Sequence, residues 1–312
     1  MSDVKMIATR ESYGKALAEF GDQYKDLVVL DADLANATKT QYFKDKFPER
    51  HIDCGIAESN MTGIAAGLAA AGKIPFISSF AMFAAGRNYE QVRNSIGYPK
   101  LNVKIGATHA GITVGEDGAT HQCLEDVALM RTIPGMTVIV PSDDVESKAA
   151  VKAAIEMNGP VYLRFSRAAT PVLNDKPDFK FEVGKGITVR EGKDLTIIAC
   201  GVEVGYALEA AEKLAADGVD ARVIDMHTIK PIDEELVLKA AEETGKIFTV
   251  EEASVIGGLG SAVADVVSEK KPVPVHKIGV YDQFGESGPW SELMKKYKLD
   301  GEGIYEQIKA KL

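Results

Sequence analysis

The chain has 312 residues, a formal net charge of −10 at pH 7, 46% hydrophobic residues and 26% charged residues. This length predicts about two domains with a substantial core, and the acidic balance argues against a nucleic-acid partner, which would want a basic face. No uninterrupted apolar run reaches membrane-spanning length, so we expect no membrane partner.

Strand-like runs alternate with helix-like stretches through the first half of the chain. Tyr13, Leu17, Phe20 and Tyr24 recur at intervals of three and four residues, which predicts a helix. The strands predicted after it are residues 26–31, 51–55, 73–80, 102–109, 136–143 and 160–166. Such alternation is typical of a largely parallel sheet that is covered on both faces.

Residues 167–194 interrupt the alternation with prolines, glycines and many charges. We interpret them as an inter-domain connection with a short hairpin, and place the linker at 169–193, between domains of residues 1–168 and 194–312. The strands predicted beyond it are residues 195–201, 219–227, 246–252 and 274–280. The prediction is an α/β fold with two doubly wound, mostly parallel-sheet domains, of which the second is smaller.

The three cysteines, Cys54, Cys123 and Cys200, are far apart and form no CxxC motif. The sequence therefore predicts neither a zinc ribbon nor a redox pair, and the odd count suits a reducing compartment. The first residues, MSDVKMIATRESY, lack the apolar core of a signal peptide. We expect a cytoplasmic protein.

Polar and aromatic side chains gather where the predicted strands of the first domain end, which is where ligands bind in open α/β sheets. They are Asp31, Asp33, Glu58, Phe80, Phe83, His109, Glu116, Asp117, His121 and Arg167. Each also has an ordinary structural interpretation. Glu58 in a first helical turn is favoured by the helix dipole, the phenylalanines could be core residues, and Arg10 and Arg167 could form surface ion pairs.

The loop AGITVGEDGATHQ, residues 110–122, is harder to explain structurally. Loops this long in compact domains are usually functional. His109, Asp117 and His121 lack the tight helical spacing of a metal motif such as HExxH, so we favour polar contacts to a substrate and predict no metal ligands. A serine hydrolase is disfavoured because there is no GxSxG motif.

Several motifs in order resemble the transketolase family. They are ATRESYGKAL, DADLANATKT, CGIAESNMTGIAAGLAAAGKIPFISSFAMFAAGR, ATHAGITVGEDGATHQCLEDVALMRTIPGMTVIVPSD, LRFSRAATPVL, HTIKPID, EEASVIGGLGSAV and YDQFGESG. The likeness is to the pyrimidine-binding domain (1–168) and the C-terminal domain (194–312). The GDG motif of the family's metal–diphosphate site does not occur. The chain therefore resembles the C-terminal subunit of a split, two-gene transketolase.

The resemblance implies thiamine diphosphate as cofactor, bound across an interface between chains. The glutamate matching Glu58 shares a proton with N1′ of the aminopyrimidine, and Phe80 matches the aromatic residue that stacks on that ring. Phe83 matches a neighbouring aromatic of the pocket, and Asp33 an acid near the cofactor at the subunit interface. The helix dipole favours a Glu58 carboxylate whereas burial raises its pKa, and the sequence leaves open which effect is larger.

The resemblance also implies substrate contacts. His109 matches a catalytic histidine near the reacting carbon, Asp117 a residue that binds the donor's 2-hydroxyl, and His121 another histidine that contacts donor hydroxyls. Arg10 and Arg167 match two arginines that hold the sugar phosphate. Two departures, Ala110 for an aspartate and Ala37 for a phosphate-binding serine, affect the expected phosphate geometry.

The activity implied is transfer of a two-carbon ketol unit from a ketose phosphate to an aldose phosphate. We expect the partner, an N-terminal subunit, to ligate Mg²⁺ or another divalent metal, with two of each subunit in the assembly. The alternatives are the beta subunit of a 2-oxo-acid dehydrogenase, a split deoxyxylulose-phosphate synthase and a non-catalytic scaffold subunit.

Overall fold

The computed structural model describes residues 5–312. The first part of the chain alternates strands and helices. Its elements are β1 (Met6–Ala8), α1 (Thr9–Phe20), β2 (Leu27–Asp31), α2 (Ala35–Thr38), α3 (Gln41–Lys46), β3 (His51–Asp53), α4 (Glu58–Ala70), β4 (Ile74–Phe80), α5 (Tyr89–Gln91), β5 (Lys104–Thr108), α6 (Asp126–Thr132), β6 (Thr137–Ile139), α7 (Asp144–Glu156), β7 (Val161–Arg164) and β8 (Ala169–Pro171). Helical turns wider than an α-helix flank α5, at Met82–Arg87 and Val92–Gly97.

The second part repeats the pattern. Its elements are β9 (Ile187–Arg190), β10 (Leu195–Ala199), α8 (Glu203–Ala216), β11 (Ala221–Asp225), β12 (Thr228–Lys230), α9 (Glu234–Thr244), β13 (Ile247–Ser254), α10 (Leu259–Lys270), β14 (Val275–Val280), α11 (Trp290–Lys296) and α12 (Gly301–Lys309). Gly245, in the left-handed conformation, ends α9, and the Asp233 side chain caps its start.

Seven strands form the first sheet, in the order β12-β6-β7-β5-β4-β2-β3, and five form the second, in the order β14-β13-β10-β11-β9. All neighbours are parallel except β12 on β6 and β9 on β11. The inner strands are buried along all or most of their length because helices cover both faces, as in β2, LVVLD, and β10, LTIIA. The predicted α/β class with two mostly parallel sheets is confirmed.

Two features of the fold differ from the prediction. The connection contains β8 and β9, which pair with β1 and β11 respectively and not with each other, so the predicted hairpin is wrong. The short strand β12 was not predicted. It leaves the second part of the chain and adds to the edge of the first sheet, where Thr228 pairs with Ile139.

The hydrophobic core runs from one sheet into the other. Val138 and Val140, near the end of β6, belong to the same buried cluster as Ile198 of β10 and Ile224 of β11. The two halves of the molecule therefore share a packed junction. Among residues 5–312, no helix is both long and apolar enough to cross a lipid bilayer.

Candidate active site

The candidate site lies at the carboxyl edge of the first sheet. Phe80 ends β4, and its neighbour on β5 is Thr108, directly before His109. Glu58 begins α4 beyond the end of β3. Parallel strands all end at one edge of their sheet, so side chains that are distant in sequence meet here.

Four aromatic rings, those of Phe80, Phe83, His109 and His121, form a group that we call the ring cluster. Phe80 stacks on His109 with 3.9 Å between centroids and on Phe83 with 6.1 Å. His121 meets Phe83 edge-on at 5.3 Å. The structure thus brings four of the sequence-predicted site residues into direct contact.

Glu58 is 2% exposed and lies in the first turn of α4. Both carboxylate oxygens accept from Arg87 Nη1, at 3.1 Å each. The guanidinium of Arg87 lies 4.5 Å over the ring of Phe83, so it links the Glu58 carboxylate to the ring cluster.

Arg87 is the contact that sequence reasoning missed. It ends the wide helical turn Met82–Arg87, a geometry that is frequent at functional sites. Two hydrogen bonds hold the residues directly after this turn against α4: Ser59 Oγ donates to Gln91 Oε1 at 3.2 Å, and Asn88 Nδ2 donates to Thr62 Oγ1. In the sequence, Arg87 is a single cationic residue after FAMFAAG. Nothing in that pattern indicates that it pairs with Glu58, 29 residues earlier.

His109 is held in one protonation state and one orientation. Arg10 Nη1 donates to its Nε2 at 2.9 Å, and its Nδ1 lies 2.9 Å from Thr108 Oγ1. Because a guanidinium can only donate, Nε2 is the acceptor and Nδ1 carries the proton. Burial, followed by the charges of Arg10 and Arg167, lowers the His109 pKa to about 3. The imidazole is therefore neutral at pH 7.

The His109 backbone has φ +55°. Left-handed backbone is uncommon for residues other than glycine and tends to occur at functional sites. Asp33 shares this conformation, with φ +61°.

The two predicted phosphate-binding arginines approach each other. Burial, followed by the charge of Arg167, lowers the pKa of Arg10. Arg10 Nη1 also donates to the Ala37 carbonyl at 3.0 Å, while its buried Nε has no partner in the described part of the chain. Arg167 Nη1 donates to Glu116 Oε2 at 2.6 Å. Two neighbouring cations with a donor to spare suit an anionic group.

Asp33 and Asp117 are exposed at the margin of the site. The Asp33 amide donates to Asp53 Oδ1 at 3.2 Å, and Asp117 ends the 3₁₀ turn Ile112–Asp117. Within residues 5–312, no hydrogen bond or ion pair joins either carboxylate to the ring cluster. The structure places both near the same sheet edge without bringing them into contact with the other predicted residues.

The Glu58 carboxylate and the ring cluster together suit one kind of ligand. A carboxylate in a buried position beside stacked aromatic faces suits a flat heteroaromatic ring that has a hydrogen-bonding nitrogen. Arg87 is 53% exposed on its side chain, so its guanidinium can turn into solvent when a ring nitrogen takes its place on the Glu58 carboxylate. No group of three or more His, Cys, Asp or Glu residues suited to a metal ion occurs among residues 5–312.

Comparisons with known proteins cover both sheets. The family model for the transketolase pyrimidine-binding domain matches residues 5–172, and that for the transketolase C-terminal domain matches residues 184–304. A putative transketolase C-terminal section of Methanocaldococcus jannaschii is 52% identical over 96% of this chain and 94% of its own. A 6-deoxy-6-sulfo-D-fructose transketolase subunit of a Clostridium species is 46% identical over 95% and 91%.

A solved structure is also similar to this chain along its whole length. It is described as a split gene transketolase in an inactive beta4 tetramer, and superposes with a TM-score of 0.90 at 54% sequence identity. The match covers 97% of this chain and 98% of that chain. The similarity therefore includes the edge of the first sheet where the ring cluster lies.

Proposed function

Because the chain belongs to the transketolase family, of which it carries the pyrimidine-binding and C-terminal domains, we propose that it is one subunit of a two-chain transketolase. The assembled enzyme transfers a two-carbon ketol unit from a ketose phosphate to an aldose phosphate. The observation that carries the proposal is the buried Glu58 carboxylate, which Arg87 joins to the ring cluster.

The family's domains imply dependence on thiamine diphosphate. When bound, this cofactor supplies a carbon nucleophile for the donor's carbonyl carbon. The residues of this chain that would hold its pyrimidine are Glu58, through a hydrogen bond to a ring nitrogen, and Phe80 with Phe83, through their faces. Asp33 borders this pocket on the side of the partner chain.

Glu58 holds and exchanges one proton at a carboxylate oxygen. Its burial in the first turn of α4 keeps water away from that oxygen, and its rigid position fixes the direction of the exchange. Arg87 bonds both oxygens in the free chain, so one of these bonds is given up when the ring nitrogen takes its place.

The remaining residues bind the sugar. Neutral His109, oriented by Arg10 and Thr108, lies near the donor's reacting carbon and contacts the donor's terminal hydroxyl. His121 contacts further donor hydroxyls. Asp117 accepts from a hydroxyl of the donor sugar. Arg10 and Arg167 bind the phosphate, for which the unpartnered Arg10 Nε offers a donor.

A partner chain supplies the rest of the pocket. We assign the metal, Mg²⁺ or another divalent cation, and the diphosphate site to an N-terminal subunit, with two copies of each chain in the assembly. An open surface next to Glu58 supports this assignment: Ile56 is 77% exposed, and α4 is uncovered at Gly63 and Gly67. Glycines on an uncovered helix face let another chain approach closely.

The test is Glu58→Gln in the chain reconstituted with its partner. Glutamine keeps the shape but cannot exchange a proton, so ketol transfer should fall by roughly 10²–10⁴-fold, the usual contribution of acid–base catalysis. Glu203→Gln is the matched control, because Glu203 is also a buried glutamate at the start of a helix, α8. It should leave transfer close to the unaltered rate.

The rates are read together with far-ultraviolet circular dichroism and calorimetric binding of thiamine diphosphate. If Glu58→Gln folds, binds its partner and transfers ketol units at nearly the normal rate, the proposed role of Glu58 is wrong.

A further inference from the structure

The loop that carries Asp117, residues 111–118, consists of short 3₁₀ turns on either side of Gly115. Gly111, Gly115 and Gly118 all have φ between +74° and +81°, and the backbone kinks at Gly115 inside the 3₁₀ turn. We call this segment the Asp117 loop. Something outside it must fix its conformation, because glycines in this region leave the backbone many alternatives.

Part of that support comes from within the first half of the chain. Gln122 Nε2 donates to the carbonyls of Ile112, at 3.3 Å, and Gly115, at 3.4 Å. Both bonds are long. Gln122 binds only carbonyls of the loop, so it holds none of the loop's amides.

The second sheet holds one of those amides. Glu252, on β13, accepts from the backbone N–H of Thr113 through Oε2 at 3.0 Å. Its carboxyl lies so close to Gly111 that a Cβ there would collide with it. Glu252 is 2% exposed, so the bond forms in a dry environment, where a charged acceptor is strong.

A cation from the first sheet fixes the other oxygen of Glu252. Arg164 Nη1 lies 3.4 Å from Glu252 Oε1, and Arg164 Nε donates to Asp126 Oδ2 at 2.9 Å. Tyr162 donates to the same oxygen of Asp126 at 2.8 Å. We call Asp126, Arg164 and Glu252 the junction network. It holds the Glu252 carboxylate in one place, with one oxygen on Arg164 and the other on the Asp117 loop.

The preceding residue shows that this arrangement is specific to Glu252. Glu251 is equally buried, at 2% exposure, but it points to the opposite face of β13 because side chains alternate along a strand. Its oxygens accept from the Leu259 and Gly260 amides, at 2.8 and 2.9 Å, and so cap α10 within its own half.

We propose that Glu252 is a positioning residue for sugar binding: it aligns the Asp117 loop from the second domain through the Thr113 amide. This deepens the function proposed above and rests on it for the role of Asp117. The second domain, which supplies none of the predicted site residues, thereby acts on the site through the Glu252–Thr113 hydrogen bond, beside the close approach of Gly288 and Trp290 to Gly115.

The first test is hydrogen exchange in the full chain alone, which requires no activity. In Glu252→Asp the charge stays near Arg164 but the carboxylate is one methylene too short for Thr113. The Thr113 amide should exchange roughly ten- to a hundredfold faster, as loss of a hydrogen bond to a charged group implies. Glu251→Gln is the matched control and should leave the Asp117 loop protected.

Equal protection of the loop in the unaltered chain, Glu252→Asp and Glu251→Gln would overturn the proposal. A second measurement avoids the risk that Glu252→Asp does not fold. In the unaltered chain, Thr113 should be the slowest-exchanging amide of the Asp117 loop, and exchange as fast as that of its neighbours would equally refute the idea.

The second test uses the enzyme assembled with its partner. A misaligned Asp117 loop should raise KM for the donor by roughly tenfold while kcat changes less, since a looser loop weakens ground-state contacts. A general loss of folded protein would lower the rate at unchanged KM. If Glu252→Asp speeds the hydrogen exchange of the Thr113 amide but leaves KM for the donor unchanged, Glu252 holds the loop but has no role in sugar binding, and the proposal is refuted.

Discussion

Two helices of this molecule begin with a buried glutamate, and only one of them adjoins an open site. Glu58 starts α4 and Glu203 starts α8, with side chains 2% and 0% exposed. Glu58 has Arg87 and the ring cluster beside it. Both oxygens of Glu203 lack a hydrogen-bond partner among the described residues, and burial raises its pKa well above the usual range. A buried glutamate at the first position of a helix therefore lies in a candidate site in the first half of the chain and in a closed core in the second.

The difference lies in what covers the strand ends. The ends of the first sheet retain exposed neighbours such as Arg87 and Glu116. The ends of the second sheet are closed by the first: Ser142 donates to Asp225 Oδ2 at 2.6 Å, and Arg164 pairs with Glu252. The rule that ligands bind at the carboxyl ends of strands therefore locates a candidate site in each sheet. Whether that site is accessible depends on what packs against the strand ends.

The largest effect on stability is expected from Arg164→Leu. Arg164 is 5% exposed and pairs with Asp126 and Glu252, so its removal leaves two buried carboxylates without a cation. The free energy of unfolding should fall by about 3–5 kcal/mol, measured by urea denaturation. A loss below about 1 kcal/mol would mean that water reaches the junction network and that the two regions do not differ in accessibility.

Glu203→Gln should stabilise the chain, and increasingly so as the pH rises. The folded state keeps the Glu203 proton above pH 4.5, the ordinary pKa of the group, whereas the unfolded state loses it. The unfolding free energy of the unaltered chain therefore falls with rising pH, by at most about 1.4 kcal/mol per pH unit for one proton. Unfolding of both proteins at pH 5 and pH 8 measures it. A difference that is constant with pH would contradict the assignment.

Much of the fold could be predicted from the residues alone. Every predicted strand is present, usually shortened by one to four residues at its ends, because apolar runs between helical stretches are a strong signal. The strand β12 gave no such signal: it has three residues, TIK, and is a strand only because the edge of β6 lies beside it.

The site was predicted as a set of positions but not as a set of contacts. Glu58, Phe80 and His109 stand at strand ends that a single rule identifies. The partners Arg87 and Glu252 act across 29 and 139 residues of sequence, and no local pattern contains that information. Whether a carboxylate meets an exposed or a buried cation depends on tertiary packing.

Phe80→Leu should weaken thiamine diphosphate binding without unfolding the chain. Leucine keeps the apolar volume but loses the aromatic face, which adds about 0.5–1.5 kcal/mol beyond burial, or up to roughly tenfold in Kd. Calorimetry of the reconstituted subunits measures this, with Phe248→Leu in the second sheet as the control. Equal affinity in both variants would remove Phe80 from the proposed pocket.

The smallest effect should come from Arg87→Ala. Its removal leaves one buried carboxylate, Glu58, at the open edge of the first sheet, and the Arg87 side chain is itself 53% exposed. Removal of Arg164 leaves two carboxylates in the closed junction. The free energy of unfolding, measured by urea denaturation, should therefore fall by less than in Arg164→Leu. A loss as large as that of Arg164→Leu would show that both carboxylates depend on their cations equally.

The strand β12 bears on how this protein could be divided. In a fragment that stops at residue 168, Thr137–Ile139 would be an unpaired edge strand, because Thr228–Lys230 is the strand that pairs with it. Unpaired edge strands tend to pair with other chains and aggregate. The order of the two halves along the chain suggests separable modules, but a strand from the second half completes the sheet of the first. We therefore expect the first half to aggregate when it is produced without the second.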